Sequence, residues 1–380
     1  MSDDEFADWY RLLATPGLGR AGARRLLAAC GSPERALAAP HSLWRDVAGN
    51  AALKGHLQPD PDFAERWQAA QAWRRDGEDR HVLVLGDPRF PPALLETADP
   101  PLLLYIQGDP AWLSRRSLAI VGSRSPTQQG VAHAEEFAHT LADAGWTVVS
   151  GLALGIDAAA HAGALASIEA RAPSGGSTVA VVATGLDRVY PKRHLALAHR
   201  IAAAGALVSE FAPGSPPLER HFPQRNRIIA GLAQGTLVVE AALQSGSLIT
   251  ARLASEAGRE VFALPGSIHS PLARGCHALI KQGAKLVESA SDVLEELTPA
   301  LRSLRPASDS TKVPEPSVTD LELADDPVQV ALGHDATTLD GLIDRTGYSA
   351  AELSARLLEL ELAGRVERRP GGLYQAIRRG

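Results

Sequence analysis

Between residues 80 and about 290 the chain keeps changing its period, and this alternation restricts the fold more than any other feature of the sequence. Short β-rich runs recur at "HVLVLG" (81–86), "PLLLYIQG" (101–108), "LAIVG" (118–122), "TVVSG" (147–151), "TVAVVAT" (178–184), "ALVSE" (206–210), "TLVVEA" (236–241) and "EVFALPG" (260–266). Most are separated by amphipathic stretches such as "GVAHAEEFAHTLADAG" and "LITARLASEAG", which end in glycine as helix C-termini often do. Apolar runs too short for helices, each followed by a helix-period segment, imply strand–helix–strand units. Their joint solution is an α/β fold with a mostly parallel sheet covered on both faces.

The flanks read differently. Residues 1–75 carry apolar positions at helical spacing, broken by Pro16-Gly17-Leu18-Gly19, and are expected to form a helical domain. Two helices joined by a Gly-x-Gly turn outline either a helix-hairpin-helix, whose amides hold a DNA phosphate, or a plain packing module. The central domain is expected over 80–298. Residues 299–322, rich in Pro and Ser and without apolar periodicity, read as a linker. Residues 323–380 give three helices and a hairpin turning at Pro370-Gly371-Gly372, the outline of a winged helix. Its third helix carries Glu352, Glu359 and Glu361 against Arg356, which favours a protein contact or a silenced DNA-binding role over reading a DNA groove.

A formal net charge of -6 excludes a chain coated in positive charge but leaves room for a local basic strip. Cys30 and Cys276 are far apart and have no CxxC spacing, so neither a zinc site nor a disulfide framework is expected, and both are assigned to packing. The acidic start "MSDDEFADWY" is unlike a secretory signal and no apolar run is long enough to span a bilayer, so a cytoplasmic protein without a membrane partner is expected.

In a parallel sheet, ligands collect where strands end and helices begin, because the first helical turn leaves N–H groups unpaired. The stretch "AIVGSRSPTQQG" puts Gly122, Ser123 and Arg124 at such a point. It lacks GxGxxG spacing, so a nicotinamide cofactor is not expected, while Arg124 adds a cation suited to phosphate. Ser150 and Gly151, then Ser245 and Gly246, and Lys192 after Tyr190-Pro191, repeat the theme and suggest a continuous anion-binding rim. In "HFPQRNR", Pro223 suits a first helical turn, placing Gln224, Arg225 and Asn226 near free amides. Arg225 and Arg227 are two apart and point about 200° apart on a helix. Arg225 is the one expected at the ligand, with Arg227 anchoring a neighbouring strand.

Catalytic groups are sparse. Asp157 and His161 share a helix face and Glu240 ends a strand, but no Ser-His-Asp, Walker or metal-ligand pattern accompanies them. The pair fits a structural role as well as acid–base work. No catalytic residue, cofactor or metal is therefore assigned.

Taken in order over about 118–287, "AIVGSRSPTQQG", "VVSGLALGIDAAAHAGAL", "TGLDRVYPKRHLAL", "LVSEFAPGSPP", "HFPQRNRIIAGL", "VVEAALQSGSLITARLASEAGREVFALPG" and "RGCHALIKQGAKLV" resemble the DNA processing protein A family (DprA, also called Smf). The resemblance implies an extended Rossmann-like domain with a sterile-alpha-motif-like helical N-terminus and, in some members, a winged-helix-like C-terminus. It also implies a homodimer that binds single-stranded DNA, protects incoming DNA and loads the RecA recombinase during natural transformation and recombination. The family's basic pocket carries over to Arg124 and Lys192, and "KRH" stands here where many relatives have a Lys-Glu-Asn-like sequence. Phe211, Phe222 and Tyr190 are either core residues or platforms for a base. The competing reading is a nucleotide phosphoribohydrolase of the lysine-decarboxylase-like group. "LAQGTLVVEAALQSG" has that group's Gly-Thr and glutamate elements, the latter at Glu240, without its PGG lead.

Overall fold

A computed structural model describes residues 1–58, 60–170, 175–298, 327–332, 337–362, 365–369 and 373–376, in two compact units, 1–299 and 300–380. In the first unit the alternating segment closes into a nine-stranded sheet ordered β1-β2-β6-β5-β4-β3-β7-β8-β9. The strands are β1 (Arg80–Val84), β2 (Leu103–Gly108), β3 (Ser117–Val121), β4 (Thr147–Ser150), β5 (Thr178–Val181), β6 (Ala206–Ser209), β7 (Gly235–Val238), β8 (Glu260–Ala263) and β9 (Lys285–Leu286). From β6 through β9 in space every pairing is parallel, whereas β1 and β2 join antiparallel at one margin. The parallel body expected from the sequence is present. The two antiparallel strands follow from their connection: a strand parallel to β6 needs a crossover back to the same edge, whereas β2 meets β6 from the opposite direction.

The central strand shows why the apolar runs are continuous. Leu118 and Ile120 of β3 join Phe137, Leu141 and Val148 in one apolar layer, while Ala119 and Val121 join Ile228, Ile229 and Leu232 in the other. Alternate side chains face opposite sides, and both sides are covered. The covering helices are α8 (Gln128–Asp143) after β3, α9 (Ile156–Ala170) after β4, α10 (Leu195–Ala204) after β5, α11 (His221–Leu232) after β6, α12 (Ser247–Glu256) after β7 and α13 (Arg274–Lys281) after β8. A last helix, α14 (Ala290–Leu297), starts with a capping box between Ser289 and Asp292.

Residues 3–75 form α1 (Asp3–Leu13), α2 (Arg20–Cys30), α3 (Pro33–Leu37), α4 (His41–Ala48), α5 (Asn50–Leu57) and α6 (Phe63–Arg75), with α7 (Pro92–Leu95) following β1. Leu12, Leu26, Ala36, Trp44 and Ala52 make a small core of their own. Phe6, Trp9, Tyr10 and Trp73, however, pack with Val82, Val84, Leu103 and Tyr105 of β1 and β2, so helices and sheet share one apolar layer. The helical segment at 1–75 and the sheet fall within one compact unit and share this apolar layer.

The second unit, by itself, contains α15 (Pro327–Leu332), α16 (Leu339–Thr346) and α17 (Ala350–Leu362), with β10 (Thr337–Thr338), β11 (Val366–Arg369) and β12 (Leu373–Ala376) in an antiparallel sheet ordered β10-β12-β11. Val328, Leu332, Leu342, Leu353, Leu357 and Leu360 form its core. Glu352, Arg356, Glu359 and Glu361 all lie on the exposed face of α17. The linker expected at 299–322 and the Pro370-Gly371-Gly372 turn lie outside the described residues.

Candidate nucleic-acid interface

Because β3, β4, β5 and β7 are parallel, the turns that follow them share one sheet edge. The β3 and β4 turns touch: Ile156 N–H donates to Ser123 O at 3.1 Å, and Gly155, at φ +78°, lies so close that a Cβ there would come within 2.4 Å of the same oxygen. The β5 connection joins them through His194, whose Nδ1 lies 3.0 Å from Leu152 O. This connection runs through a cis Tyr190–Pro191 bond into a 3-10 turn at Lys192–His194. Leu152 sits at φ +55°, the one non-glycine residue with positive φ among those described.

The start of α11 completes a pocket lined by Arg124, Gly151, Leu154, Thr184, Tyr190, Pro191, Phe222 and Arg225. Arg124 is exposed and its guanidinium lies 5.4 Å from the centre of the Phe222 ring, which is 5.9 Å from the Tyr190 ring. A cation above an aromatic shelf suits a group that is anionic on one side and flat on the other. Arg124, Lys192 and Arg193 are all exposed, and none has an ion pair among the described residues.

Arg225 behaves differently. It is 4% exposed, donates from Nη1 to Val181 O at 2.7 Å, and leaves Nε without a partner. Gly151 is the reason it fits, since a Cβ there would fall 1.6 Å from Nη1. Burial lowers the Arg225 pKa against the opposing charge of Asp157, and the Arg124 charge lowers it further. Burial likewise raises Asp157, while Arg225, the N–H groups of Ala153 and Gly151, and Ser150 pull it down. The Asp157 carboxylate accepts from Gly151 N–H at 3.1 Å and Ala153 N–H at 3.3 Å, holding the loop that carries Leu152.

His161 lies behind this floor with no exposure, and its Nδ1 is 2.6 Å from Thr178 Oγ1. Thr178 donates its hydroxyl proton to Val148 O, so Nδ1 carries the imidazole proton and the unpartnered Nε2 is bare. Burial, with the charges of Arg225 and His194, depresses its pKa to about 3. Asp157 and His161 share a helix face as expected, yet each is committed to separate backbone or hydroxyl partners inside the protein.

The structure corrects the expectation of free amides at the Gly122-Ser123-Arg124 turn. Thr127 caps α8 by accepting from Gly130 N–H, and Glu240 in turn accepts from Thr127 N–H at 2.9 Å and from its hydroxyl at 2.6 Å. The helix start that a phosphate would use is filled by the protein's own carboxylate. What remains for a ligand at this turn is the exposed Arg124 side chain.

The other expected site residues divide. Arg124, Gly151 and Arg225 meet in the pocket, Gly122 and the buried Ser123 precede Arg124 outside its lining, and Lys192 follows Pro191 on the rim. Ser150 is buried and donates to Ile120 O, away from any ligand. Gln224 accepts from Arg20 Nη1 at 3.4 Å. Asn226 donates to Gly246 O at 3.4 Å beside Ser245, whose hydroxyl meets that of Ser247, so these lie on a second patch at the α12 start. The rim is therefore two patches instead of one continuous strip. Arg227 does anchor a strand, through Glu210 just after β6. Thr184 lines the pocket and His194 holds the Leu152 carbonyl beside it; both stand in the "TGLDRVYPKRHLAL" stretch, though neither is assigned a role from the sequence.

Among the described residues no cluster of His, Cys, Asp or Glu has the makings of a metal site, and no helix is long and apolar enough to cross a membrane. Cys276 is buried and its thiol is pushed up to about 12, mainly by desolvation.

A doubly wound sheet whose carboxyl edge carries exposed cations, without ion pairs among the described residues, around an aromatic-walled pocket defines a protein of Rossmann-like architecture. The comparisons make this specific. Residues 81–298 match the family of the DNA recombination-mediator protein A, and residues 312–372 match the DprA winged helix domain. The chain belongs to the DNA recombination-mediator protein A family. It is 44% identical over 301 residues to protein Smf of Escherichia coli, covering 79% of this chain and 78% of that one. The X-ray structure of DNA processing protein A from Streptococcus pneumoniae superposes with a TM-score of 0.66 at 37% identity, over 78% of this chain and 99% of that one. DNA processing protein A of Helicobacter pylori, whose structure concerns a single-stranded DNA binding mode, matches with a TM-score of 0.52 at 30% identity, over 58% of this chain and 96% of that one.

Proposed function

We infer that the protein binds single-stranded DNA at the pocket edge and acts, as a cytoplasmic homodimer, to load the RecA recombinase in transformation and recombination. The carrying observation is the set of exposed cations, Arg124, Lys192 and Arg193, none ion-paired among the described residues, around a pocket walled by Phe222 and Tyr190. Cations that follow a flexible backbone, with aromatic faces for bases, bind a single strand without reading its sequence. The Helicobacter pylori relative's reported binding mode supports the same ligand. Binding is assigned to residues 80–298, with 1–75 and 323–380 as flanking domains.

The protein is read as a binder and not an enzyme. The phosphoribohydrolase alternative needs a free glutamate, whereas Glu240 is engaged by Thr127, and Asp157 and His161 are internal. The test is a gel-shift and anisotropy series with single-stranded and duplex oligonucleotides, with and without the recombinase. Wild type should prefer the single strand, and Arg124→Ala should weaken binding while lowering the log–log salt slope by about 0.7. Equal affinity and slope for the two proteins would remove Arg124 from the interface; release of free base from nucleoside monophosphates would restore the enzymatic reading.

A further inference from the structure

The helix that carries Phe222 and Arg225 into the pocket is held from its opposite side. Arg227, two residues beyond Arg225, donates from Nη1 to Asp99 O at 2.7 Å, places Nε 3.2 Å from Asp99 Oδ2, and pairs through Nη2 with Glu210. Asp99 lies in the segment between α7 and β2 and is shared with α2: Arg20 Nε reaches Oδ2 at 2.9 Å and Arg24 Nη1 reaches Oδ1 at 2.6 Å. Arg24 also donates to Pro100 O at 3.0 Å. Arg20 extends further, to Glu210 at 3.6 Å and to Gln224 Oε1 of α11 at 3.4 Å. Three guanidinium groups and two carboxylates from four segments thus meet on the far side of α11.

Burial is deepest where the helix is gripped. The side chains of Arg227 and Glu210 are 12% and 13% exposed, against 32% for Arg20 and 34% for Asp99. Burial alone would raise the Asp99 pKa, yet Arg227, with Arg24 and Arg20, holds it below its usual range, so Asp99 is charged at neutral pH. A partly buried guanidinium that donates to a backbone carbonyl from one nitrogen and pairs with a carboxylate from another fixes direction as well as distance. Rotation of α11 would break these pairs and carry Arg225 out of the space that Gly151 leaves for it.

We propose that Asp99 is a positioning residue for DNA binding, fixing the rotation of α11 through Arg227 and so tying the N-terminal helix α2 to the pocket. The inference rests on the pocket being the single-strand site. It makes a prediction opposite in sign to simple electrostatics. Removing an acid from a DNA-binding protein relieves repulsion and strengthens binding, whereas Asp99→Asn should weaken it.

The experiment uses the full chain and a labelled oligothymidylate over a salt series, with Arg124→Ala alongside and hydrogen exchange of the α11 amides in the free proteins. Asp99→Asn should bind roughly three- to tenfold more weakly, a change typical of residues acting at one remove. Its salt slope should equal that of wild type, because no phosphate contact is lost. Exchange in α11 should quicken while that in α8 does not. Unchanged or tighter binding by a variant with native circular dichroism overturns the proposal, as does unaltered α11 exchange. Should Asp99→Asn fail to fold, Arg227→Lys, which keeps the charge and loses the two-pronged grip, replaces it with the same expected signs. If Arg124→Ala matches wild type while Asp99→Asn still weakens binding, the pocket assignment fails and the coupling of α2 to α11 stands. If the wild type binds no strand, α11 exchange alone decides the coupling.

Discussion

Two starts of helices on the same sheet edge meet opposite fates. At α8 the protein supplies its own anion, Glu240, to the capping residue Thr127, and the place a phosphate would take is filled. Around the β5 connection and the β3 turn, Arg124, Lys192 and Arg193 stay exposed, without ion pairs among the described residues. A strand-to-helix turn advertises an anion site only until tertiary structure provides the anion. Arg124 and Arg225 repeat the contrast within one pocket, the first a surface cation above Phe222, the second a buried strut against Gly151.

The sharpest way to break this division is at the strut. Arg225→Met removes the buried guanidinium that donates to Val181 O and leaves that carbonyl without its partner, at a cost of about 1–3 kcal/mol. Denaturant unfolding should show that loss, and a midpoint equal to wild type would recast Arg225 as a ligand group free of structural duty. The second effect concerns pH. His161 has a folded pKa of about 3, below its unfolded value near 6.5, so the unfolded chain takes up the proton first. Its contribution is complete above the unfolded value and fades as pH falls toward 3, at up to about 1.4 kcal/mol per pH unit. His161→Gln should flatten stability through that window, and a parallel pair of curves would show that another group sets the slope.

The smallest effect sharpens the contrast at α8. Glu240→Ala should lose about 1 kcal/mol with its two hydrogen bonds and regain part of it in sulfate beyond the gain seen for wild type, as the opened helix start accepts an external anion. Thermal melts in chloride and sulfate measure it. An identical response of the two proteins would mean that α8 offers no anion site even when uncovered.

Much of the fold was legible because buried parallel strands require continuous apolar runs, which "SLAIV" and "TVAV" are. The two-residue β9 left no such run, and the antiparallel direction of β1 and β2 depends on a pairing with β6 that no local pattern encodes. Within the site, Arg124 and Lys192 were readable as cations at strand ends. The closure of α8 was not, because Thr127 and Glu240 are 113 residues apart and meet only through the β3–β7 pairing. Neither was the role of Asp99, which lies in a segment without periodicity and acquires its meaning from Arg20, Arg24 and Arg227. Spacing on α11 did separate Arg225 from Arg227, since opposite faces of a helix are a local property.

Leu152 keeps a left-handed backbone that a bulky residue disfavours, and it does so under Asp157, which draws in the neighbouring amides, and His194, which holds its carbonyl. The unfavourable conformation is already in place in the folded chain, so its cost of order 1–3 kcal/mol is met during folding and none of it is charged to ligand capture. A pocket wall set in advance loses little entropy when a ligand arrives, which leaves more of the contact energy for affinity.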